Sequence, residues 1–361
     1  MSVPYELKLV NGIGGDPAVW CFLPNLGQAI LFDLGSIENL TAKEIHKIQT
    51  VLISHCHIDH FIGFDRLLRC HIVHKHRLHF IGPIGLADNI RNKLNGYTWN
   101  LLDPDQIVFD ITEIDSTGIV RCFSVSNTDN FACHKKSETS PPITDSGHVV
   151  KKNQNIVATV ASFEDGSHIQ AVVLDHKTAS ISYRYTKSSK KKVKQQKLIE
   201  LGINPGRWIH RLIEGDYKSG EHYCVGSEKF LFSDLAETIL ETAPDWSVGY
   251  YTDAGFTDLN INSIRSLMES VNILIAECSF KDNDKIRAAK KSHLTVRQTA
   301  MIAAIANVDD LMPFHVSGLY GSNQQEVVEE AKHLFNLYQS KQKPEIELEI
   351  EVELKAIAKL L

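Results

Sequence analysis

Short apolar runs rich in β-branched residues recur along the chain, and segments of helical character lie between them. Runs of this kind, bounded by turn residues, are typical of buried strands. They predict strands at Tyr5–Val10, Ala29–Leu34, Val51–Ser54, Ile156–Val160, Ile169–Leu174, Ser180–Tyr185, Val248–Thr252, Ile273–Ala276 and Leu311–His315. Helices are predicted at Ala42–Gln49, Leu86–Leu94, Ser227–Glu241, Ile261–Ser270 and Thr295–Ala306. Strands interleaved with helices favour an α/β protein.

Three segments depart from this pattern. Residues 126–155 are rich in polar residues and lysine and contain two prolines, which predicts a loop-like insertion. Residues 186–197 contain six lysines, and such a run is as compatible with a solvated loop or helix face as with a binding site. Residues 345–354 alternate Glu with Ile, Leu or Val, which predicts a half-buried strand at a sheet edge or subunit interface. A charged terminal helix is the alternative for that tail.

Composition limits the range of functions. The chain has 361 residues, enough for one large sandwich domain or two smaller ones, and a formal net charge of −6. An acidic protein has no general basic coat for nucleic acid, so any RNA contact has to be local. Seven cysteines without a CxxC pair indicate reduced thiols in a cytoplasmic protein. No charged segment followed by an apolar stretch comes after Met1, and no run is long enough to span a membrane, so we expect neither secretion nor membrane insertion.

The densest chemical signal is the sequence from His55 to His60, His-Cys-His-Ile-Asp-His, which directly follows the apolar run Thr50–Ser54. Neutral imidazole is a preferred zinc ligand, and a carboxylate between two histidines lets one short loop supply two neighbouring metals. Cys56 occupies a spacer position, and we interpret it as a non-ligand. A surface histidine cluster is the simpler alternative, but it would need neither the strand before the motif nor Gly63 after it.

Three further candidate ligands also stand at the ends of apolar runs. His176 ends the run 171–176, Asp253 ends 248–253, and His315 follows 311–314. Each alone is weak evidence, because a lone histidine is more often a satisfied core or surface residue. Several candidate ligands that each follow an apolar run are much less expected by chance than any one of them alone. The carboxylate of Asp253 could bridge two cations.

The HxHxDH motif with these distant ligands resembles the metallo-β-lactamase superfamily, and within it the ribonuclease Z family. The resemblance covers about residues 50–320. Its segments are His55–Gly63, Phe80–Leu86 ("GP-x-G-L"), His176 with Tyr183-Arg184, Leu201–Gly206 with Leu212–Gly215, Ala276–Phe280 ("HEATF"), His293–Thr295 ("H-S-T") and Pro313–Tyr320 ("H-F-S-x-R-Y").

The resemblance implies the metallo-β-lactamase fold, an αβ/βα four-layer sandwich of two packed mixed sheets flanked by helices. It implies one domain over residues 1–361, with a substrate arm at about 184–215. One zinc would be held by His55, His57 and His176, and the other by Asp59, His60 and His315, with Asp253 bridging them. Asp59 could also accept a proton from the attacking water, His293 would be the general acid, and Glu277 would orient His293.

The activity implied is removal of the 3′ trailer of precursor tRNA in the cytoplasm, by a homodimer with two Zn²⁺ ions per chain; Mn²⁺ or Fe²⁺ are alternatives. Two metals roughly 3.5–4 Å apart could hold a hydroxide between them and clamp the attacking and leaving oxygens. Because the lysine run follows the His176 segment, where the family's tRNA-gripping arm begins, Lys190, Lys191, Lys192 and Lys194 are candidate contacts to tRNA phosphates.

Several departures from the family pattern leave the substrate open. Position 319 is Leu where the family usually has Arg, and position 276 is Ala where it usually has His. Gly206 is followed by Arg207 instead of proline, and the N-terminal glycine-rich segment is reduced to Asn11–Gly15. Two rivals therefore remain: a dinuclear hydrolase of a small phosphodiester or other ester, and a non-catalytic RNA-binding paralogue.

Overall fold

The structure is a computed structural model, and it describes residues 5–73, 77–140, 155–188, 191–225, 228–242 and 245–360. The strands are β1 Glu6–Leu9, β2 Val19–Leu23, β3 Gln28–Phe32, β4 Ile48–Leu52, β5 Leu78–Pro83, β6 Val108–Ile114, β7 Val120–Ser126, β8 His134–Thr139, β9 Ala158–Ser162, β10 His168–Asp175, β11 Ala179–Lys187, β12 Lys191–Val193, β13 His222–Val225, β14 Glu228–Leu231, β15 Leu240–Thr242, β16 Trp246–Tyr251, β17 Ile273–Glu277 and β18 Asp310–Phe314.

The helices are α1 Ala42–Lys47, α2 Ile58–Phe61, α3 Phe64–His71, α4 Leu86–Leu94, α5 Gln195–Glu200, α6 Trp208–Glu214, α7 Phe232–Ile239, α8 Asp258–Met268, α9 Lys285–Lys291, α10 Val296–Ile305, α11 Gln324–Gln339 and α12 Lys343–Leu360. Short 3₁₀ helices lie at Asn127–Asp129, Asp282–Asp284 and Gly318–Asn323. None of the helices in the described part of the chain combines the length and the apolar character that a membrane crossing requires.

The chain divides into two compact units. The larger consists of Met1–Phe163, His168–Tyr185 and Ser247–Leu361, and the smaller of Glu164–Ser167 and Thr186–Trp246.

The larger unit contains two mixed sheets. The first has eight strands in the order β1 to β8, and β3 to β6 run parallel to one another. The second has the order β18-β17-β16-β11-β10-β9, with β16, β17 and β18 parallel. The carboxyl ends of neighbouring parallel strands lie at the same edge of a sheet. The predicted ligands come directly after their strands, so they lie at this edge.

Side chains of a strand alternate between the two faces of its sheet. In each sheet, the side chains of one face pack against helices. In β3, Ala29 and Leu31 belong to the core shared with Phe64 of α3 and Ile90 of α4. In β17, Leu274 and Ala276 belong to a second core with α8, α10, α11 and α12.

The opposite faces of the two sheets meet each other. The Phe32 ring of β3 lies 5.3 Å from that of Tyr250 in β16, and the Tyr183 hydroxyl of β11 donates to the carbonyls of Ile53 and Ile81 at 2.7 and 3.0 Å. Helices, sheet, sheet and helices therefore form four layers, as the resemblance implied.

The nine strands predicted from apolar runs are all present, with shifts of a few residues at their ends. The helix predicted from Ser227 begins only at Phe232, because Glu228–Leu231 forms β14. The loop-like composition of residues 126–155 conceals β8, whose side chains are exposed along its whole length, so that it carries no apolar signal. Residues 141–154 of that insertion lie outside the described residues.

The strand predicted for residues 345–354 is wrong, since α12 covers them. Ile346, Ile350 and Ile357 follow helical spacing and are buried against the second core, whereas Leu348 and Val352 are exposed. Glutamate is a good helix former. In a helix, alternating apolar residues fall on different faces, so only some of them have to be buried. Arg297 of α10 binds Glu349 at 2.9 Å and fixes the helix further.

The smaller unit has its own apolar core, formed by Leu198, Trp208, Leu212, Phe232 and Ile239 among others. The Trp208 ring stacks on Tyr223 at 4.3 Å. The unit extends to Trp246, beyond the arm expected at 184–215, because β13, β14 and α7 complete this core.

The first prediction tests the packing of α12. Ile350→Ala should lower the free energy of unfolding by about 2–4 kcal/mol, since it removes a side chain that is 6% exposed. Leu348→Ala, two residues away and 63% exposed in the same helix, is the matched control and should change it by less than about 0.5 kcal/mol. Chemical denaturation of both variants measures the difference. Equal effects at the two positions would contradict the helical packing.

Candidate metal centre

Three site residues follow strands with the same unusual backbone conformation. Asp33 after β3, Asp253 after β16 and His315 after β18 have φ angles of 55°, 51° and 56°. The left-handed region costs a non-glycine residue roughly 1 kcal/mol, but Asp and His tolerate it better than most residues. The strain shows that packing holds these strand ends in place.

The metal loop between β4 and α3 is set by a close backbone approach. A Cβ atom at Gly63 would lie 2.2 Å from the carbonyl oxygen of Gly35, and one at Gly35 would lie 2.7 Å from that of Asp59. Only glycine allows these segments to touch. This contact fixes the loop that carries His55, His57 and His60 against the end of β3.

His55, His57, His176 and Asp253 form the first group of donor atoms, all within 4.8 Å of one another. His55 Nε2 lies 2.8 Å from His57 Nδ1. Asp253 Oδ2 lies 3.5 Å from His55 Nε2 and 3.3 Å from His176 Nε2. These residues come from three separate strand ends.

Asp59, His60 and His315 form the second group. His60 Nε2 lies 3.5 Å from Asp59 Oδ2, and His315 Nε2 lies 2.9 Å from Asp253 Oδ1. Asp253 therefore lies between the two groups, with one oxygen facing the first group and the other facing His315.

The donor set fits divalent ions of the zinc class. His60 Nε2 is buried and has no hydrogen-bond partner among the described residues, although it lies 3.5–3.6 Å from two carboxylates. A buried polar atom without a partner is costly unless something else satisfies it. Imidazole nitrogens and carboxylate oxygens are the ligands that zinc takes in proteins.

Charge within the cluster is strongly perturbed. Burial, helped by the neighbouring His60 ring, lowers the pKa of His55 to about 2, so this imidazole stays neutral. The His60 imidazole lowers the pKa of Asp59 to about 2 despite partial burial. Burial opposes the charge on Asp253, but His315 and His60 hold its pKa well below the usual value. The neutral His55 ring and the ionised carboxylates of Asp59 and Asp253 are therefore in the forms that bind cations.

A buried carboxylate that we did not predict, Asp33, orients His60. Its Oδ2 accepts from His60 Nδ1 at 2.8 Å, from Ser54 Oγ at 2.7 Å and from the Tyr250 hydroxyl at 2.6 Å, and its Oδ1 accepts from the Ser54 amide at 2.6 Å. The bond to Nδ1 leaves Nε2 for the metal group. The sequence signal was present, since Asp33 ends an apolar strand as the predicted ligands do.

The other histidines are oriented in the same way. His176 Nδ1 donates to the backbone carbonyl of Ser292 at 2.8 Å, and Ser54 Oγ lies 3.0 Å from His55 Nδ1. In both rings the second nitrogen, Nε2, faces Asp253. Partners outside the ligand groups therefore select which nitrogen each ring offers.

His293 lies beside the second group and is held by Glu277. Glu277 is fully buried, and its Oε2 accepts from His293 Nδ1 at 2.9 Å and from Ser279 Oγ at 2.7 Å. Its Oε1 accepts from the Ala254 amide at 2.7 Å. His293 Nδ1 is also 3.9 Å from Asp253 Oδ1, so the ring is within reach of the ligands.

The candidate lysines belong to the segment Thr186–Trp246 of the smaller unit. Lys191 and Lys192 are exposed on β12, and Lys194 precedes α5, all in the smaller unit. Lys190 lies outside the described residues.

Two curated proteins are similar to this chain in sequence. Ribonuclease Z of Deinococcus radiodurans is 27% identical over 311 residues, which cover 84% of this chain and 88% of that protein. Ribonuclease Z of Bacillus cereus is 25% identical over 324 residues, 87% of each chain. No protein-family model matches the chain.

Two solved structures are similar in fold. The metallo-beta-lactamase fold protein YhfI from Bacillus subtilis aligns with a TM-score of 0.51 at 14% identity, over 92% of this chain and 94% of that one. Unliganded yeast PDE1 aligns with a TM-score of 0.52 at 10% identity, over 93% and 95%.

The chain has the metallo-β-lactamase fold. The resemblance to ribonuclease Z seen in the sequence is confirmed, because curated relatives carry that name. Together they support a metal-dependent hydrolase of the endoribonuclease class.

Within this metallo-β-lactamase fold, the family-like pair Tyr183-Arg184 has a structural role. The Tyr183 hydroxyl joins the two sheets, and Arg184 donates to the carbonyls of Leu267 and Glu269 at the end of α8, at 3.2 and 2.9 Å. Leu319, where the family usually has Arg, is 52% exposed.

The second prediction concerns Asp33. Asp33→Asn places an amide opposite donors that the carboxylate now accepts from, so metal affinity should fall roughly 10- to 100-fold, as for other partners that orient a ligand. Tyr250→Phe removes one of these donors, leaves His60 held, and should cost only about 1 kcal/mol of stability. Metal analysis during competition with a chelator compares the variants with wild type. Wild-type affinity in Asp33→Asn would refute the role of Asp33.

Proposed function

We propose that the chain is a ribonuclease Z-type phosphodiesterase that removes the 3′ trailer of precursor tRNA with two zinc-class ions. The observation that carries this proposal is a pair of ligand groups that Asp253 joins, since it belongs to one and contacts His315 of the other, in a chain whose relatives are named ribonuclease Z. The proposal includes a cytoplasmic homodimer, as the resemblance implies. All seven cysteines are free thiols, which suits a reducing compartment.

In this proposal His55, His57 and His176 would hold one ion, Asp59, His60 and His315 would hold the other, and Asp253 would be a ligand to both. When bound, such ions supply Lewis acidity toward the phosphoryl oxygens and make a water nucleophilic at neutral pH. The protein contributes fixed ring orientations, through Asp33, Ser54 and the Ser292 carbonyl.

Asp59 and His293 are the proposed catalytic residues, and both line the same cavity of about 240 Å³. The Asp59 carboxylate, whose side chain is 41% exposed, orients the attacking water and accepts its proton. His293 gives a proton to the leaving oxygen of the phosphodiester. Glu277 holds the His293 ring through Nδ1, which leaves Nε2 as the nitrogen that exchanges a proton with the substrate.

The third prediction tests His293. His293→Ala should keep the metal content of the wild-type protein and lower turnover by about 10²–10⁴-fold, the usual range for a positioned proton donor. The measurements are metal analysis and initial rates on precursor tRNA.

Two results would contradict this role. Wild-type turnover in metal-loaded His293→Ala would remove the residue from the reaction. Loss of one ion would make His293 a ligand with Asp253 and His315, a grouping that their donor atoms also allow. Glu277→Gln serves as the companion variant, because it keeps a hydrogen-bonding partner in place and should reduce turnover less.

We further propose that the lysine stretch binds phosphates of the tRNA body. Lys191 and Lys192 project from β12, which pairs with β15 and so has a fixed backbone. Lysines on an exposed strand in an acidic protein provide the local positive charge that RNA binding requires.

The fourth prediction tests the substrate. Wild-type protein should shorten a 3′-extended precursor tRNA and also hydrolyse a small chromogenic phosphodiester. Changing Lys190, Lys191, Lys192 and Lys194 together to Gln should weaken binding of precursor tRNA and flatten its salt dependence, since fewer counterions are released. Hydrolysis of the chromogenic compound should stay within about twofold.

The control variant carries the same change in net charge at exposed lysines elsewhere, Lys43, Lys136, Lys332 and Lys359. It should bind precursor tRNA as wild type does. Equal effects of the two variants would refute the lysine stretch as a tRNA contact. Hydrolysis of the small compound without any cleavage of precursor tRNA would overturn the proposed substrate in favour of the small-phosphodiester rival.

A further inference from the structure

We propose that Lys291 binds the phosphate of the substrate at the mouth of the metal centre, an inference that rests on the proposed function. The cavity of about 240 Å³ beside the ligands is lined by Asp59, His293, His315 and Lys291, and by the backbone of Gly14 and Gly15. The sequence resemblance assigned no role to this lysine.

The charges around the cavity call for a cation. Asp16 lines it and belongs to neither ligand group, so bound metal ions would not take up the charge of its carboxylate. Among the described residues of the lining, Lys291 is the only lysine or arginine. Carboxylates repel a phosphodiester, and an ammonium group, with three donors and a full charge, is an established phosphate-binding group.

Lys291 is free to make such a contact. Its side chain is exposed, and no carboxylate oxygen in the described part of the chain lies within ion-pair distance of it. A lysine already held by a surface carboxylate would have to give up that partner before binding substrate. Here the side chain can turn into the cavity without breaking an ion pair.

The backbone at Lys291 is nevertheless fixed to the site. Lys291 is the last residue of α9, and Ser292 turns the chain with a φ of 57°. The amides of Ser292 and His293 donate to the carbonyls of Ala289 and Ala288 at 3.1 and 3.0 Å. The Ser292 carbonyl in turn accepts from His176 Nδ1. One rigid corner thus carries the contact to His176, the His293 ring and the Lys291 side chain.

The position of Lys291 at the carboxyl end of α9 offers a different explanation for its positive charge. The neighbouring Lys290 allows this explanation to be tested. Lys290 and Lys291 both lie in the last turn of α9, where a cation interacts favourably with the helix dipole. Lys290 does not line the cavity, and its carbonyl accepts from Lys177 Nζ at 2.5 Å. Lys290 is therefore a matched control with the same charge at the same helix end.

The fifth prediction uses the protein as purified with its metals, and inorganic phosphate as the probe. Lys291→Met should weaken phosphate binding in calorimetry by about tenfold, the size of one hydrogen bond to a charged group, and raise KM for the chromogenic phosphodiester by a similar factor. Lys290→Met should match wild type in both, and all variants should keep the wild-type metal content. Lys291→Arg keeps the cation and should restore most of the binding.

Equal phosphate binding by Lys291→Met and Lys290→Met would overturn the inference and leave the proposed function standing. Failure of Lys291→Arg to restore binding lost in Lys291→Met would also overturn it, because a lost charge would then not be the cause. If wild type hydrolyses no phosphodiester but the two methionine variants still differ in phosphate binding, the proposed function fails and the phosphate site stands.

Discussion

The candidate metal centre is organised around one buried anion, Asp33. Its carboxylate accepts hydrogen bonds from the metal loop through Ser54, from the ring of His60 and from Tyr250 of the opposite sheet. A buried charge is tolerated only when its lone pairs are satisfied, and here the donors that satisfy it come from both sheets. The same interaction therefore aligns the two halves of the ligand set and selects the ring nitrogen that His60 offers. Beside this anion, residues separated by about 260 positions in sequence, His55 and His315, meet at Asp253.

The parts of this site that sequence could predict are those that local pattern determines. A polar residue after an apolar strand lies at the edge of a sheet whatever the rest of the fold does, and His55, His176, Asp253 and His315 all follow that rule. The packing of the two sheets against each other, by contrast, depends on tertiary contacts that local sequence does not reveal. Asp33 ends β3 in the same way, but nothing local distinguishes a carboxylate that binds metal from one that orients a ligand.

The two local errors have opposite causes. In α12 the alternation of Glu with aliphatic residues predicted a strand, but helix propensity and the burial of Ile346, Ile350 and Ile357 against α10 and α11 decide for a helix. In β8 the side chains are exposed, so only backbone pairing with β7 makes the strand, and composition cannot indicate it. The spacing of apolar residues indicates secondary structure only where an element packs against another element. The sequence does not say which elements will pack together.

The left-handed backbone at Asp33, Asp253 and His315 restricts which sequences this centre can accept during evolution. Valine, isoleucine and threonine are excluded by their branched Cβ atoms, and glycine relieves the strain only by removing the functional side chain. Asparagine is the conformationally compatible substitute for each, yet it exchanges a carboxylate or an imidazole for a neutral amide. Drift at these three strand ends therefore passes through variants that fold well and bind metal poorly. A lineage of this protein could lose the capacity to bind metal by single substitutions at these positions and still retain its architecture.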